Sequence, residues 1–179
     1  MIPTIFDIPI AFDRHDEIIA AAKNAGWEQK TRSGGYATVL VRDNQALKIY
    51  EDTAYDHFLS QIQARENSTY PVILDGPLVG VGLSVIFLER LESLGYEDAL
   101  LADKLRWYAL ESEGRGEIDP KHPYIELVRE RMGEDGVSAL DFIMHFAKDH
   151  AYIADFNIRN LMLRPLSNQI VFADPVSLN

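Results

Sequence analysis

Along residues 1–90 polar and apolar positions alternate in short runs broken by turn residues, whereas residues 94–150 carry their apolar positions at helical spacing. Asp16 to Ala25 (DEIIAAAKNA) predicts a short helix closed by Gly26, a residue suited to the left-handed backbone of a helix end. A β-type run from Tyr36 to Val41, the turn pair Asp43-Asn44 and a second run from Gln45 to Tyr50 (QALKIY) predict a hairpin. Asp52 to Ala64 places apolar residues at 55, 58, 59 and 62, the spacing of an amphipathic helix. Pro71 to Leu74 and Leu83 to Leu88 read as further strands, with Gly76, Gly80 and Gly82 between them.

The second half is different in kind. Tyr96 to Leu110 is helical by period, Glu111 to His122 is a polar loop, and Pro123 to Met132 and Val137 to His150 predict two more helices. Asn160 to Leu163 and Gln169 to Ala173 are short apolar runs around Arg164-Pro165-Leu166-Ser167-Asn168, a second hairpin. The pattern predicts an α+β chain: a small antiparallel sheet with one interrupting helix over residues 1–90, and a helical portion over 91–179.

Composition narrows the function. The 179 residues are 47% hydrophobic and 25% charged, as in globular proteins, and no apolar run reaches bilayer length. Met1 to Arg14 does not read as a signal peptide, and with no cysteine there is neither a disulfide framework nor a thiolate site; a cytoplasmic location is expected. The net charge of -11 repels phosphate backbones, so nucleic acid is not the expected partner. Solubility is the plain reason for such a charge, and docking on a basic partner the sharper one. The five histidines lack metal-ligand spacing and read as structural or surface residues.

Gly34-Gly35 lies between two strand runs, where backbone amides can approach a phosphate, and Lys48 on the next strand can neutralise the same phosphates. A Gly-Gly turn is more often only a turn, and Lys48 either points at a cleft or snorkels to solvent. The segment Ala154 to Leu163 holds more specific chemistry. Asp155 and Asn160 stand five apart between a helix and a short strand, and Asp174 ends the strand after it. Asp155 can accept a hydroxyl proton, Asn160 can ligate a metal through its amide oxygen, and Asp174 supplies the hard oxygen that magnesium prefers. Singly, Asp155 could cap a turn, Asn160 make a side-chain-to-backbone bond and Asp174 begin a Pro turn.

Together these residues resemble the protein-kinase family, whose catalytic loop H-R-D-x-x-x-x-N is followed by a hairpin and D-F-G. The resemblance spans roughly residues 27 to 178. It assigns Asp155 as the catalytic aspartate, with Asn160 and Asp174 as ligands of Mg2+. Gly34 and Val39 would belong to the glycine-rich loop, Lys48 would hold the ATP α/β-phosphates, and Glu89 and Leu91 would belong to the hinge beside adenine. ATP is then expected between a sheet lobe (1–90) and a truncated helical lobe (91–179), a minimal two-lobed kinase-like fold. Ala154 to Asn160 and Ile170 to Leu178 (IVFADPVSL) resemble more closely the early-expressed serine/threonine kinases of short-tailed bacteriophages of the T-seven group, as do Ser33 to Tyr36, Ala46 to Lys48 and Ala54 to Phe58. That resemblance implies phosphorylation of host proteins, including transcription or translation machinery, in the host cytoplasm.

The departures matter as much. Arg32 and Ala37 stand at two loop-glycine positions, and Ile153-Ala154 replaces His-Arg, removing the basic pocket for a phosphorylated activation loop. Asn157 occupies the catalytic-loop lysine position, so Arg159 is expected to supply positive charge to the transferred phosphate. No clean counterpart exists for the glutamate that pairs with the strand lysine; Asp56, eight residues after Lys48, is the best candidate. Only five residues follow Asp174, which implies no activation segment and surface open to self-association. The alternative to an active kinase is a pseudokinase that binds and inhibits a host protein through its acidic surface. A small-molecule phosphotransferase shares the Asp-to-Asn spacing and is the third reading.

Overall fold

The structure is a computed structural model, and it describes residues 4–5, 8–9, 15–30, 37–80, 82–112 and 117–178. The fold is α+β with antiparallel sheets. In chain order the elements are β1 (Thr4–Ile5), β2 (Ile8–Pro9), α1 (His15–Asn24), β3 (Glu28–Gln29), β4 (Ala37–Arg42), β5 (Gln45–Tyr50), α2 (Thr53–Ile62), β6 (Ile73–Val79) and β7 (Ser84–Glu89). Then follow β8 (Glu92–Ser93), α3 (Tyr96–Glu111), α4 (Pro123–Asp149), β9 (Ile153–Ala154), β10 (Leu161–Arg164), β11 (Gln169–Phe172) and β12 (Val176–Ser177). The chain divides into two compact units, Met1–Asp56 with Val72–Arg90, and His57–Pro71 with Leu91–Asn179. Residues 57–71, expected with the sheet, thus cluster with the helical residues. Among the described residues, no helix is long and apolar enough to cross a membrane.

The first unit is built on a five-stranded antiparallel sheet in the order β3-β4-β5-β7-β6. The predicted Asp43-Asn44 turn joins β4 to β5, with Asp43 at φ 51, a backbone state that aspartate and asparagine tolerate better than most residues. Strand alternation sorts the side chains. Leu40, Leu47 and Phe87 form one cross-strand row, with Ile49 and Val85 in the next row on the same face. Ile18 and Ala22 of α1 and the indole of Trp27 complete this core, Trp27 meeting Phe87 edge-on at 5.3 Å. Each such buried aliphatic or aromatic side chain contributes about 1.5–3 kcal/mol. The opposite face carries the row Val39, Lys48, Ile86 and the row Tyr50, Ser84. Strand β6 corrects the sequence reading: Gly76, expected in a loop, lies inside the strand, where the register with β7 shifts on both sides of Asp75. Bulged pairing takes up the residues that a period-of-two pattern cannot fit.

In the second unit Phe58 packs against Tyr70, Phe142 and Phe146, with ring centroids 5.8–6.2 Å apart. His122 caps α4 by accepting the Tyr124 N–H at 3.2 Å, and Pro123 occupies the first turn, where no N–H is needed. The two helices expected at 123–132 and 137–150 are both present within α4, separated by a kink at Gly133, whose φ 72 and ψ -170 suit glycine alone. Arg131 pairs with Asp98, tying α4 to α3. Just past the break, Asp135 accepts the Ser68 hydroxyl at 2.5 Å and the Ser68 N–H at 3.1 Å, while its carbonyl accepts Asn67 Nδ2.

The Ser68 hydroxyl, and after it the Ser68 N–H, holds the Asp135 carboxyl below its ordinary value. A depressed carboxylate stabilises the fold fully above its unfolded value and loses that contribution as pH falls through the folded one. Asp135→Asn is therefore expected to melt below the parent at neutral pH. The gap should close in acid, below the ordinary 3.8. Melting curves across that range check this, and a gap that stays constant with pH would contradict it.

Candidate functional site

The stretch between α4 and β10 is held by its own backbone. Ala151, at φ 55, turns the chain out of the helix end, and β9 pairs with β12 so that Ala154 faces Val176. The Asp155 N–H then donates to the Pro175 carbonyl at 2.8 Å. Phe156 points the other way, is fully buried, and meets Phe172 at 5.8 Å. Asn157 shapes the loop from both ends of its amide: Nδ2 donates to Asp155 Oδ1 at 2.9 Å, and its oxygen accepts the Arg159 N–H at 2.8 Å.

Asn160 closes the arrangement. Its Nδ2 donates to the Asp155 carbonyl at 3.0 Å, and its own carbonyl accepts the N–H of Ala173 at 2.8 Å and of Asp174 at 3.3 Å. Asp155, Asn160 and Asp174 are therefore linked, each one hydrogen bond from the next, although nineteen positions separate the first from the last. Behind them the β10–β11 hairpin is clamped. Phe172 N–H donates to the Thr69 carbonyl at 2.9 Å, and Arg164 reaches the carbonyls of Ser68 at 2.8 Å and Tyr70 at 3.1 Å. Strand β8 adds an edge, with Met162 opposite Ser93 and Leu163 opposite Glu92.

The donor set suits a hard cation. Two half-buried carboxylates and an amide are present, and because the Asn160 amide nitrogen is turned to Asp155, its oxygen is the atom directed elsewhere. Asp155 Oδ1 is held by Asn157, which orients the carboxylate. Magnesium fits these residues by chemistry: Asn160 and Asp174 would hold it.

Within the sheet unit, Lys48 and Val39 face each other across β4 and β5. Lys48 is 8% exposed, so it does not snorkel to solvent. Its ammonium lies 3.5 Å from the ring centroid of Tyr55 and 5.2 Å from that of Tyr50. Asp56, the expected counter-ion, accepts the Tyr50 hydroxyl at 2.6 Å through Oδ1 and the Ser84 hydroxyl at 2.7 Å through Oδ2. Glu89 ends β7 with both its N–H and its carboxylate turned to Val72. Leu91 is half-buried and falls in the other unit. Gly34, Gly35 and Arg32 lie outside the described residues.

Arg159 is exposed, and its backbone rather than its side chain serves the loop. Asn157, expected only to stand in for a lysine, is a structural bridge to Asp155. Tyr50, Tyr55 and Ser84 were not singled out from the sequence. Tyr55 there is only one apolar position of a helical stripe, and no local spacing marks Ser84, 28 residues from Asp56. The chain matches no protein-family model, and no curated protein matches it.

Proposed function

We propose that this chain transfers the γ-phosphate of ATP to serine or threonine hydroxyls of a host protein, as the early kinases of short-tailed phages do. The observation that carries the reading is the hydrogen-bonded link in which the Asn160 side-chain amide donates to the Asp155 carbonyl and the Asn160 carbonyl accepts the Asp174 N–H. It supports the reading because it links the residue proposed as proton acceptor to the two proposed as cation ligands, across the loop before β10 and the end of β11. The Ala173 bond extends the β10–β11 ladder by one step, and the Asn160 amide ties the preceding loop to that end of the hairpin.

Bound magnesium would supply positive charge against the triphosphate oxygens. The rest falls to side chains of the chain itself. Asp155, oriented by Asn157, accepts the proton of the attacking hydroxyl. Lys48 neutralises phosphate charge. Phosphoryl transfer asks little more than such positioning and charge.

Saturating MgATP is expected to raise the melting temperature by about 5–10 °C, the shift for a ligand about a hundredfold above its Kd on a chain of this size. Labelled ATP should mark serine or threonine in a host extract. A melting curve indifferent to MgATP would remove the proposal and leave the acidic docking protein as the reading.

A further inference from the structure

Helix α3 carries apolar side chains on two sides. Leu101, Leu105 and Tyr108 are buried, with the Tyr108 ring 4.7 Å from that of His122 and its hydroxyl accepting the Asp119 N–H at 2.7 Å. Tyr96, Leu100, Trp107 and Leu110 project from the other side and are 49–85% exposed. A helix that is apolar all round is one whose second side meets something further. We infer that a second copy of this chain covers the stripe, with α3 packed antiparallel on α3 across a two-fold axis. The inference is independent of the phosphate chemistry.

The spacing is that of a packing seam. Positions 96, 100, 103, 107 and 110 alternate steps of four and three, as do the core positions of paired helices. Four of the five are apolar, and two of these are the aromatic residues Tyr96 and Trp107. Tyrosine and tryptophan left in water along one line are the side chains that most often anchor an interface.

Charge along one edge of the stripe selects a second copy as the occupant. Glu97, Lys104 and Glu111 follow one another at seven-residue intervals, acid, base, acid, and all three are exposed. Residues seven apart stay on the same edge of a helical seam. A two-fold axis lays that edge against itself. A uniformly acidic edge would repel its own copy, whereas this alternation complements it. Lys104 of one copy meets Glu97 of the other, and symmetry repeats the pair. Much the same displacement sets Tyr96 of one copy beside Trp107 of the other. The net charge of -11 on each copy opposes the approach, so the association is expected to be modest.

Sedimentation equilibrium from about 1 to 500 µM protein tests this, with a dimer expected at a Kd of tens of micromolar, as suits a small interface. Trp107→Glu is expected to weaken the dimer by about thirtyfold or more. Lys104→Glu and Glu97→Lys each turn both edge contacts into like-charged pairs, and each variant alone is expected to associate about fivefold more weakly than the parent. Mixed together, the two variants face each other with opposite charges, and the mixed dimer is expected to match the parent within about twofold. Circular dichroism shows that each variant is folded, and recovery in the mixture cannot come from misfolded chains.

A parent that stays monomeric throughout would overturn the proposal and assign the stripe to a different partner. So would a dimer indifferent to Trp107→Glu. A mixture that associates no better than either variant alone would overturn the antiparallel pairing.

Discussion

Asp155→Ala should reduce phosphoryl transfer by about a thousandfold while leaving MgATP affinity within about twofold of the parent. The separation is expected to be sharp because Asp155 serves the loop through its backbone, whereas the proposed reaction would use its carboxylate. Its N–H holds Pro175 and its carbonyl holds Asn160, and alanine keeps both bonds. Only the Asn157 amide loses a partner, and that side chain is half-buried, within reach of water. Steady-state transfer to a protein acceptor, set beside nucleotide titration, measures the two effects separately. Transfer at the parental rate would exclude Asp155 as the proton acceptor.

Phe156→Ala should cost about 3–5 kcal/mol of stability, the usual loss when a buried phenylalanine is truncated to a methyl group. A loss of that size lowers the melting temperature by roughly 10 °C in a chain of this length. The site should suffer beyond the fold. Phe156 lies between Asp155 and Asn157, and its contact with Phe172 fixes the loop to the strand that leads into Asp174. Variant protein that remains folded at low temperature is therefore expected to bind MgATP more weakly than the parent. Urea unfolding and nucleotide titration below the melting range check both parts. A loss under about 1 kcal/mol would mean that the ring is not the anchor its burial indicates.

Much of the local structure was legible before any coordinates. Alternation predicted β4 and β5 and the turn between them, because a strand with one face on a core must repeat every second residue. The gap left between the helices predicted at 123–132 and 137–150 contains Gly133, which interrupts α4. Strand β6 was misread around Gly76, since a bulge breaks the period on which the reading depended. The candidate residues Asp155, Asn160 and Asp174 were picked out by spacing and residue type, and the structure links them through the Asn160 side-chain amide and the Asn160 carbonyl. For Asp56 the outcome is different. Offered only as the best candidate to pair with Lys48, it holds Tyr50 and Ser84, and no helical or strand period could have said so.

By itself, the sequence determined the α+β class, most element positions and the residue types that could carry phosphate chemistry. These follow from local rules: periodicity, turn propensity and the few side chains able to ligate a cation. The tertiary structure decided which carbonyl each amide meets. It pairs β9 with β12, clamps the β10–β11 hairpin through Thr69 and Arg164, and lays Tyr55 over Lys48. Such contacts join segments far apart in the chain, and their directions are set by packing that no short window of residues encodes.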